Sequence, residues 1–96
     1  MIVVTASLRC PEERREAFLR AARELSDASR REPGCREHRL LADAVDGESF
    51  VWLERWSDEG ALATHRDCPH VAAYRRAVAG LVVRGSTQVY EANPLG

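Results

Sequence analysis

The segment Glu48–Trp56, with the sequence ESFVWLERW, constrains the fold of this chain more than any other segment. In a strand, alternate side chains point to opposite faces of the sheet. The even-numbered positions then place three aromatic rings and Glu54 on one face, while Val51 and Leu53 lie on the other. Helices cover only one of these faces, so a second copy of the sheet is the simplest cover for the other, which predicts a homodimer. The alternative is a half-exposed sheet with two stray aliphatic side chains.

The rest of the chain alternates between strand and helix patterns. Apolar or β-branched runs predict three further strands: Ile2–Arg9, about Cys35–Ala42, and Ser86–Ala92. A helical stripe begins near Pro11 and stops at Glu32–Gly34, and a second helix begins after Ser57, its expected N-cap, and breaks at Pro69. The order β-α-β-β-α-β predicts a ferredoxin-like α+β fold, an antiparallel sheet with helices on one face.

Composition narrows the class of protein. The 96 residues predict one domain spanning 1–96. A net charge of -1, without a basic patch interleaved with aromatic residues, gives no reason to expect a nucleic-acid or anionic-membrane partner. No apolar run approaches the ~18 residues that a membrane span needs. Three widely spaced cysteines favour a reducing compartment, so we expect a cytoplasmic protein.

Several stretches together resemble a known family. These are MIVVTASLR at the start, EPGC after the first helix, and FVWLERWSDEGALATH followed by PH at Pro69 and His70. In their order and spacing they are similar to the antibiotic biosynthesis monooxygenase (ABM) domain. The resemblance implies a dimeric ferredoxin-like α+β barrel with an apolar pocket between each sheet and its helices. Members of that family include oxygenases of quinols or polycyclic phenols that need no metal or flavin, haem-cleaving enzymes and isomerases of small phosphosugars.

The haem-degrading branch of the family can be compared residue by residue. Its pattern has an Asn on the first strand, a Trp on the helix and a His farther along. The matching positions here hold Thr5 or Ser7, then His65, then Tyr74 or Arg75. All three are lost, so haem degradation is disfavoured.

His65 and Glu54 are the candidate catalytic residues. His65 follows Ala61 and Leu62 on one helical face, and an imidazole facing an apolar pocket suits a general base. The alternative is a buried histidine bonded to a backbone carbonyl. Glu54 would serve as a second base or as the group that orients His65; the alternative is a salt bridge to a nearby arginine, which could be Arg9, Arg36 or Arg39.

Five residues are candidates for binding substrate: Trp52, Trp56, Tyr74, His38 and Thr5. The tryptophans offer flat apolar surface, which suits a planar ligand and a core equally well. Tyr74 and His38 would present polar groups to the pocket, unless Tyr74 belongs to the core and His38 to the surface.

The stretch His65–His70, HRDCPH, is not predicted to bind a metal. His65 and Cys68 could share a helix face, but Pro69 is expected to redirect the chain before His70, and no further pair of ligands has metal spacing. No cofactor is expected.

The favoured hypothesis is a cofactor-independent monooxygenase that uses O₂ on a small electron-rich aromatic, a quinol or polyphenol. In it His65 removes a phenolic proton and Glu54 orients it. Two alternatives stay open: a dimeric binding protein for an apolar metabolite, and an isomerase of a small carbonyl compound anchored by Arg36 or Arg75.

Overall fold

A computed structural model describes all of residues 1–96. Its elements, in chain order, are β1 (Ile2–Arg9), a 3-10 turn (Glu12–Arg14), α1 (Arg15–Ser29), β2 (Cys35–Ala42), β3 (Ser49–Trp56), α2 (Glu59–Arg66), α3 (Pro69–Val78) and β4 (Val83–Glu91). The expected ferredoxin-like order is confirmed, with the second helix divided in two. None of the helices combines the length and apolarity needed to cross a bilayer.

The four strands form one sheet in the order β2-β3-β1-β4, and all neighbouring strands are antiparallel. Directly opposed residues in antiparallel strands share a face. Glu54 lies opposite Val4 on one side and His38 on the other. The register therefore places Glu54 and His38 next to each other on the face that the helices cover.

The core lies between this face and the helices, in two apolar clusters. The larger contains Phe18 of α1, whose ring meets that of Phe50 edge to face at 5.2 Å, together with Trp52. The smaller surrounds Trp56, which is fully buried. Along β3, Glu54 lies between the two tryptophans, so its polar side chain separates the two clusters.

Some element boundaries differ from the sequence predictions. Asp58, not Ser57, is the N-cap of α2, since its carboxylate accepts a hydrogen bond from the Ala61 amide at 2.8 Å. β4 begins at Val83 rather than Ser86. The register between β1 and β4 shifts between Ala6 and Leu8, which lets the pairing continue as far as Arg9 of β1, opposite Val83. β3 begins at Ser49, one residue later than expected.

Gly34 allows the turn after α1 to lie against α2. A Cβ atom at this position would collide with the Cβ of Ala61 and stand 3.0 Å from Ser57 Oγ. Only glycine permits so close an approach without displacement. This contact brings the segment that contains Glu32 next to the face of α2 that carries His65.

Candidate active site

A cavity of about 670 Å³ lies between the sheet and the helices. Eleven of its nineteen lining residues are hydrophobic, and Trp52 is the largest of these. Its polar lining includes both candidate catalytic residues, His65 and Glu54. A mostly apolar cavity with a few convergent polar groups is the usual form of a small-molecule site.

His65 is held at the cavity wall by a carboxylate on its far side. Its side chain is 7% exposed, and Nδ1 lies 2.7 Å from Oε2 of Glu32. The same oxygen lies 2.8 Å from Nε2 of His70. Trp56 packs against the His65 ring with centroids 4.4 Å apart. The imidazole is therefore fixed in place by a hydrogen bond and by stacking.

The ionisation of Glu32 decides which nitrogen of His65 carries the proton. Burial opposes ionisation, but hydrogen bonds from His65 and His70 outweigh it and lower the pKa of the Glu32 carboxyl. An ionised carboxylate only accepts hydrogen bonds, so Nδ1 of His65 must donate. In the neutral imidazole the lone pair is then on Nε2, the form that a general base requires.

Glu54 stands beside that free nitrogen. Its Oε1 lies 3.7 Å from Nε2 of His65 and accepts a hydrogen bond from Nε1 of Trp56 at 2.9 Å. None of the ion pairs of Glu54 involves an arginine: Arg9 pairs with Asp46 and Glu48, and Arg39 pairs with Glu37. The hydrogen bond that orients His65 comes from Glu32, so the expectation that Glu54 orients it is revised. Glu54 instead offers negative charge near Nε2.

His38 lies behind the cavity, and its side chain has no exposure. Nδ1 lies 2.9 Å from Ser26 Oγ, whereas Nε2 has no hydrogen-bond partner and stands 4.0 Å from Glu54. Burial first, and then the nearby charges of His65 and Arg30, lower the pKa of His38 from 6.5 to about 4. His38 is therefore neutral at physiological pH, and it is not among the residues that line the cavity.

Trp52 and Tyr74 form one wall of the cavity. The indole Nε1 donates to the tyrosine hydroxyl at 3.0 Å, and the rings meet nearly at right angles, 5.7 Å apart. Burial raises the pKa of Tyr74, and the hydrogen bond from Trp52 opposes that rise. The hydroxyl therefore stays neutral and keeps its own proton available for donation into the cavity.

Comparison with known proteins agrees with this architecture. The model of the family "Antibiotic biosynthesis monooxygenase" matches residues 1–77. The chain belongs to this family. It is 35% identical over 74 residues to "Putative monooxygenase YcnE" of Bacillus subtilis, a match that covers 77% of this chain and 78% of that one.

Two further proteins extend the likeness over nearly the whole chain. "Probable quinol monooxygenase YgiN" of Escherichia coli is 27% identical, with 95% of this chain and 97% of that one covered. The structure of Rv0793 from Mycobacterium tuberculosis superposes with a TM-score of 0.87 at 30% identity, covering 97% and 95% of the two chains.

Besides His38, two more of the proposed ligand-binding residues do not line the cavity, Thr5 and Trp56. Thr5 lies on the opposite face of the sheet, because Val4 and Ala6 are the neighbours that point into the cavity. Trp56 is fully buried beneath His65, so it supports the site without reaching a ligand.

Glu32 is the residue that the sequence analysis missed. It was noticed only as part of the EPG helix stop, and its partner His65 is 33 positions away. The expectation that Pro69 would direct His70 away from His65 was also wrong. The first turn of α3 returns toward α2, so both imidazoles reach the same oxygen of Glu32.

Two groups of side chains have the donor atoms that a metal ion would need. Glu32, His65 and His70 form one group, and His38, Glu54 and His65 form the other; within each, the donor atoms lie within 4.8 Å of one another. In the first group, hydrogen bonds already occupy Glu32 Oε2 and one nitrogen of each imidazole, Nδ1 of His65 and Nε2 of His70. Both groups share His65, so an ion in the second would bind the lone pair of Nε2.

Proposed function

We propose that this protein is a cofactor-independent monooxygenase that acts on a small electron-rich aromatic, a quinol or polyphenol. One observation carries the proposal: an ionised Glu32 fixes the tautomer of His65 so that Nε2 lies free beside an apolar cavity. The relative from Escherichia coli is named "Probable quinol monooxygenase YgiN", which points to the same class of substrate.

In the proposed mechanism, a phenolic hydroxyl lies against His65 and gives its proton to Nε2. The imidazolium that forms lies between the carboxylates of Glu32 and Glu54, which stabilise its charge. The phenolate, kept from bulk water by the apolar lining, then passes an electron to O₂. Overall, a hydroquinone and O₂ give a hydroxyquinone and water, which balances without an external reductant.

The main alternative is a protein that binds an apolar metabolite without converting it. Under that alternative, the pocket would be lined only by aliphatic and aromatic side chains, and neither His65 nor Glu54 would reach it. Both residues line the cavity here, and Nε2 of His65 has no closer polar partner than Glu54 at 3.7 Å. This arrangement supports the catalytic proposal.

The test is O₂ uptake by metal-stripped protein against a panel of hydroquinones, corrected for their spontaneous oxidation. A general base contributes about 10²- to 10⁴-fold. His65→Ala should therefore lose at least about 10²-fold of the substrate-dependent rate. Unchanged uptake in His65→Ala would place the base elsewhere, and the absence of uptake with any hydroquinone would refute the oxygenase.

We also propose that the protein is a homodimer joined through the outer face of the sheet. Val51 and Leu53 are only half-buried on this face because no helix covers them. Leu41 and Tyr90, on the flanking strands, are 43% and 49% exposed. The register places Leu41 opposite Val51, so these two side chains and Leu53 lie together on this face. A second copy of the same surface would cover it.

Light scattering after size-exclusion chromatography tests the dimer. Leu53→Arg places a charge in the centre of the outer face and should shift the mass from about twice 10.7 kDa toward 10.7 kDa. The same substitution at an exposed α1 position, Ala17→Arg, should leave the mass unchanged. A monomeric wild-type protein would exclude the proposed assembly.

A further inference from the structure

Three arginines line the cavity: Arg66 at the end of α2, Arg75 in α3 and Arg84 in β4. None of them takes part in an ion pair within the chain. Arg9 and Arg55, on the far side of the sheet, are by contrast paired with carboxylates at 2.7 and 2.6 Å. The guanidinium groups around the cavity therefore keep all their donors available for a ligand.

The charge of the cavity lining differs from that of the whole chain. Glu54 is the one acidic residue among the lining residues, so three arginines and one glutamate leave an excess of two positive charges. The whole chain has a net charge of -1. Positive charge around an apolar cavity focuses the electrostatic potential there and draws anions to it.

We propose that the substrate is an aromatic acid, whose carboxylate binds to Arg75 and Arg84 while its rings lie against Trp52. This inference rests on the proposed function and specifies its class of substrate. Guanidinium groups match the geometry of a carboxylate and form two parallel hydrogen bonds with it. The carboxylate would thus remain near the solvent while the phenolic end of the molecule enters the cavity.

The register of the sheet sets the length of that substrate. Arg84 lies opposite Leu8, and Glu54 lies opposite Val4 on the same strand, β1. Four residues of a strand span about 13 Å at about 3.3 Å per residue. These two backbone positions are well separated along the sheet, which favours an elongated, fused-ring molecule over a single ring.

Tyr74 lines the same cavity and is a further donor in addition to Arg84. Burial raises the pKa of its hydroxyl, and the hydrogen bond from Trp52 and then the positive charge of Arg84 oppose that rise. The hydroxyl and the guanidinium are both available as donors to a bound carboxylate.

The test compares three ligands that cannot react with O₂, so binding is measured apart from catalysis. Titrations followed by NMR chemical shifts would give Kd for 2-naphthoate, 2-naphthylmethanol and 2-naphthylmethylammonium. An exposed ion pair is worth up to about fivefold in affinity. Two such pairs should make the naphthoate bind about 5- to 20-fold more tightly than the alcohol, and the ammonium should bind most weakly.

Substitutions identify the source of the preference. Arg75→Gln combined with Arg84→Gln should abolish the advantage of the naphthoate and leave the Kd of the alcohol unchanged. Arg76→Gln is the matched control, because Arg76 follows Arg75 on α3 and is equally exposed but does not line the cavity. It should retain the full preference.

Three results would overturn the inference: equal affinity for naphthoate and alcohol, a preference that survives the double substitution, or no binding of the naphthoate. The oxygenase proposal fails separately. A preference for the naphthoate in a protein that consumes no O₂ with any hydroquinone would keep the anionic ligand and reject the reaction.

Discussion

Glu32→Gln is the most informative substitution in this molecule, because one carboxylate oxygen accepts hydrogen bonds from two imidazoles. Oε2 lies 2.7 Å from Nδ1 of His65 and 2.8 Å from Nε2 of His70. The glutamine keeps the size of the side chain but removes its charge. Because both imidazoles contact the same oxygen, the glutamine presents either its amide oxygen or its NH₂ group to both of them, so the tautomer of His65 is no longer fixed.

The magnitude follows from those two contacts. A hydrogen bond to a charged group contributes about 1.5–3 kcal/mol, against about 0.5–1.5 kcal/mol for one between neutral groups, so each contact weakens when the charge is removed. The side chain of Glu32 is 11% exposed, so solvent screens these contacts little. Removing the charge also removes the cost of burying it, which offsets part of the loss. We expect a net decrease of about 2 kcal/mol in the free energy of unfolding at pH 7.

The pH dependence has a definite sign. The folded pKa of Glu32 is lower than its ordinary value of 4.5, so the stability from its ionisation is fully present above about pH 4.5. It is lost as the pH falls through the folded pKa. The difference between wild type and Glu32→Gln should therefore shrink as the pH falls below about 4.5.

Urea unfolding measures this difference, with Glu24→Gln as the control because Glu24 is exposed on α1 and forms no ion pair. NMR of the imidazole nitrogens should show His65 protonated on Nδ1 in the wild type. In Glu32→Gln, O₂ uptake should also fall about 10²-fold through loss of that tautomer. If Glu32→Gln and Glu24→Gln have equal stability and His65 keeps the same tautomer, the role assigned to Glu32 is refuted.

The remaining predictions concern neighbouring residues. The pKa of His38 is lowered from 6.5 to about 4, so the folded protein should lose about 3 kcal/mol of stability as the pH falls from about 6.5 to 4. His38→Gln should not show this pH dependence in urea unfolding. Tyr74→Phe should destabilise by about 1–2 kcal/mol in the same assay, since it leaves the Trp52 N–H without an acceptor. Gly34→Ala should cost about 1–3 kcal/mol through its clash with Ala61; an unchanged unfolding midpoint would exclude the clash.

The fold could be predicted from the sequence because its signals are local. The alternation of apolar and polar side chains along β3 can be read from a few neighbouring residues. The same holds for the ends of helices at Gly34 and Pro69, and together these signals determine the element order. The face of β1 could not be predicted in the same way. Ile2, Val3 and Val4 are all apolar, so alternation does not distinguish its two faces, and Thr5 was assigned to the wrong one.

The site was predicted only in part, for a related reason. His65 and Glu54 could be placed at the cavity because each lies on an element with a clear inward face. Glu32 lies in a turn, where no periodicity indicates direction, and its contact with His65 depends on how the turn packs against α2. Hydrogen bonds between distant segments depend on tertiary packing, which local patterns do not encode.

Packing and chemistry are therefore coupled at this turn. Ala61 and His65 lie four residues apart on α2, so they share one face of the helix, and the turn meets that face through Gly34 and Glu32. A methyl group at Gly34 would push the turn away from α2 and lengthen the hydrogen bond from His65 to Glu32. Gly34→Ala and Glu32→Gln should then be less than additive in a double-mutant cycle, since the first substitution already weakens the bond that the second removes. Additive losses in unfolding free energy would show instead that the turn keeps its position and that the clash is relieved within α2.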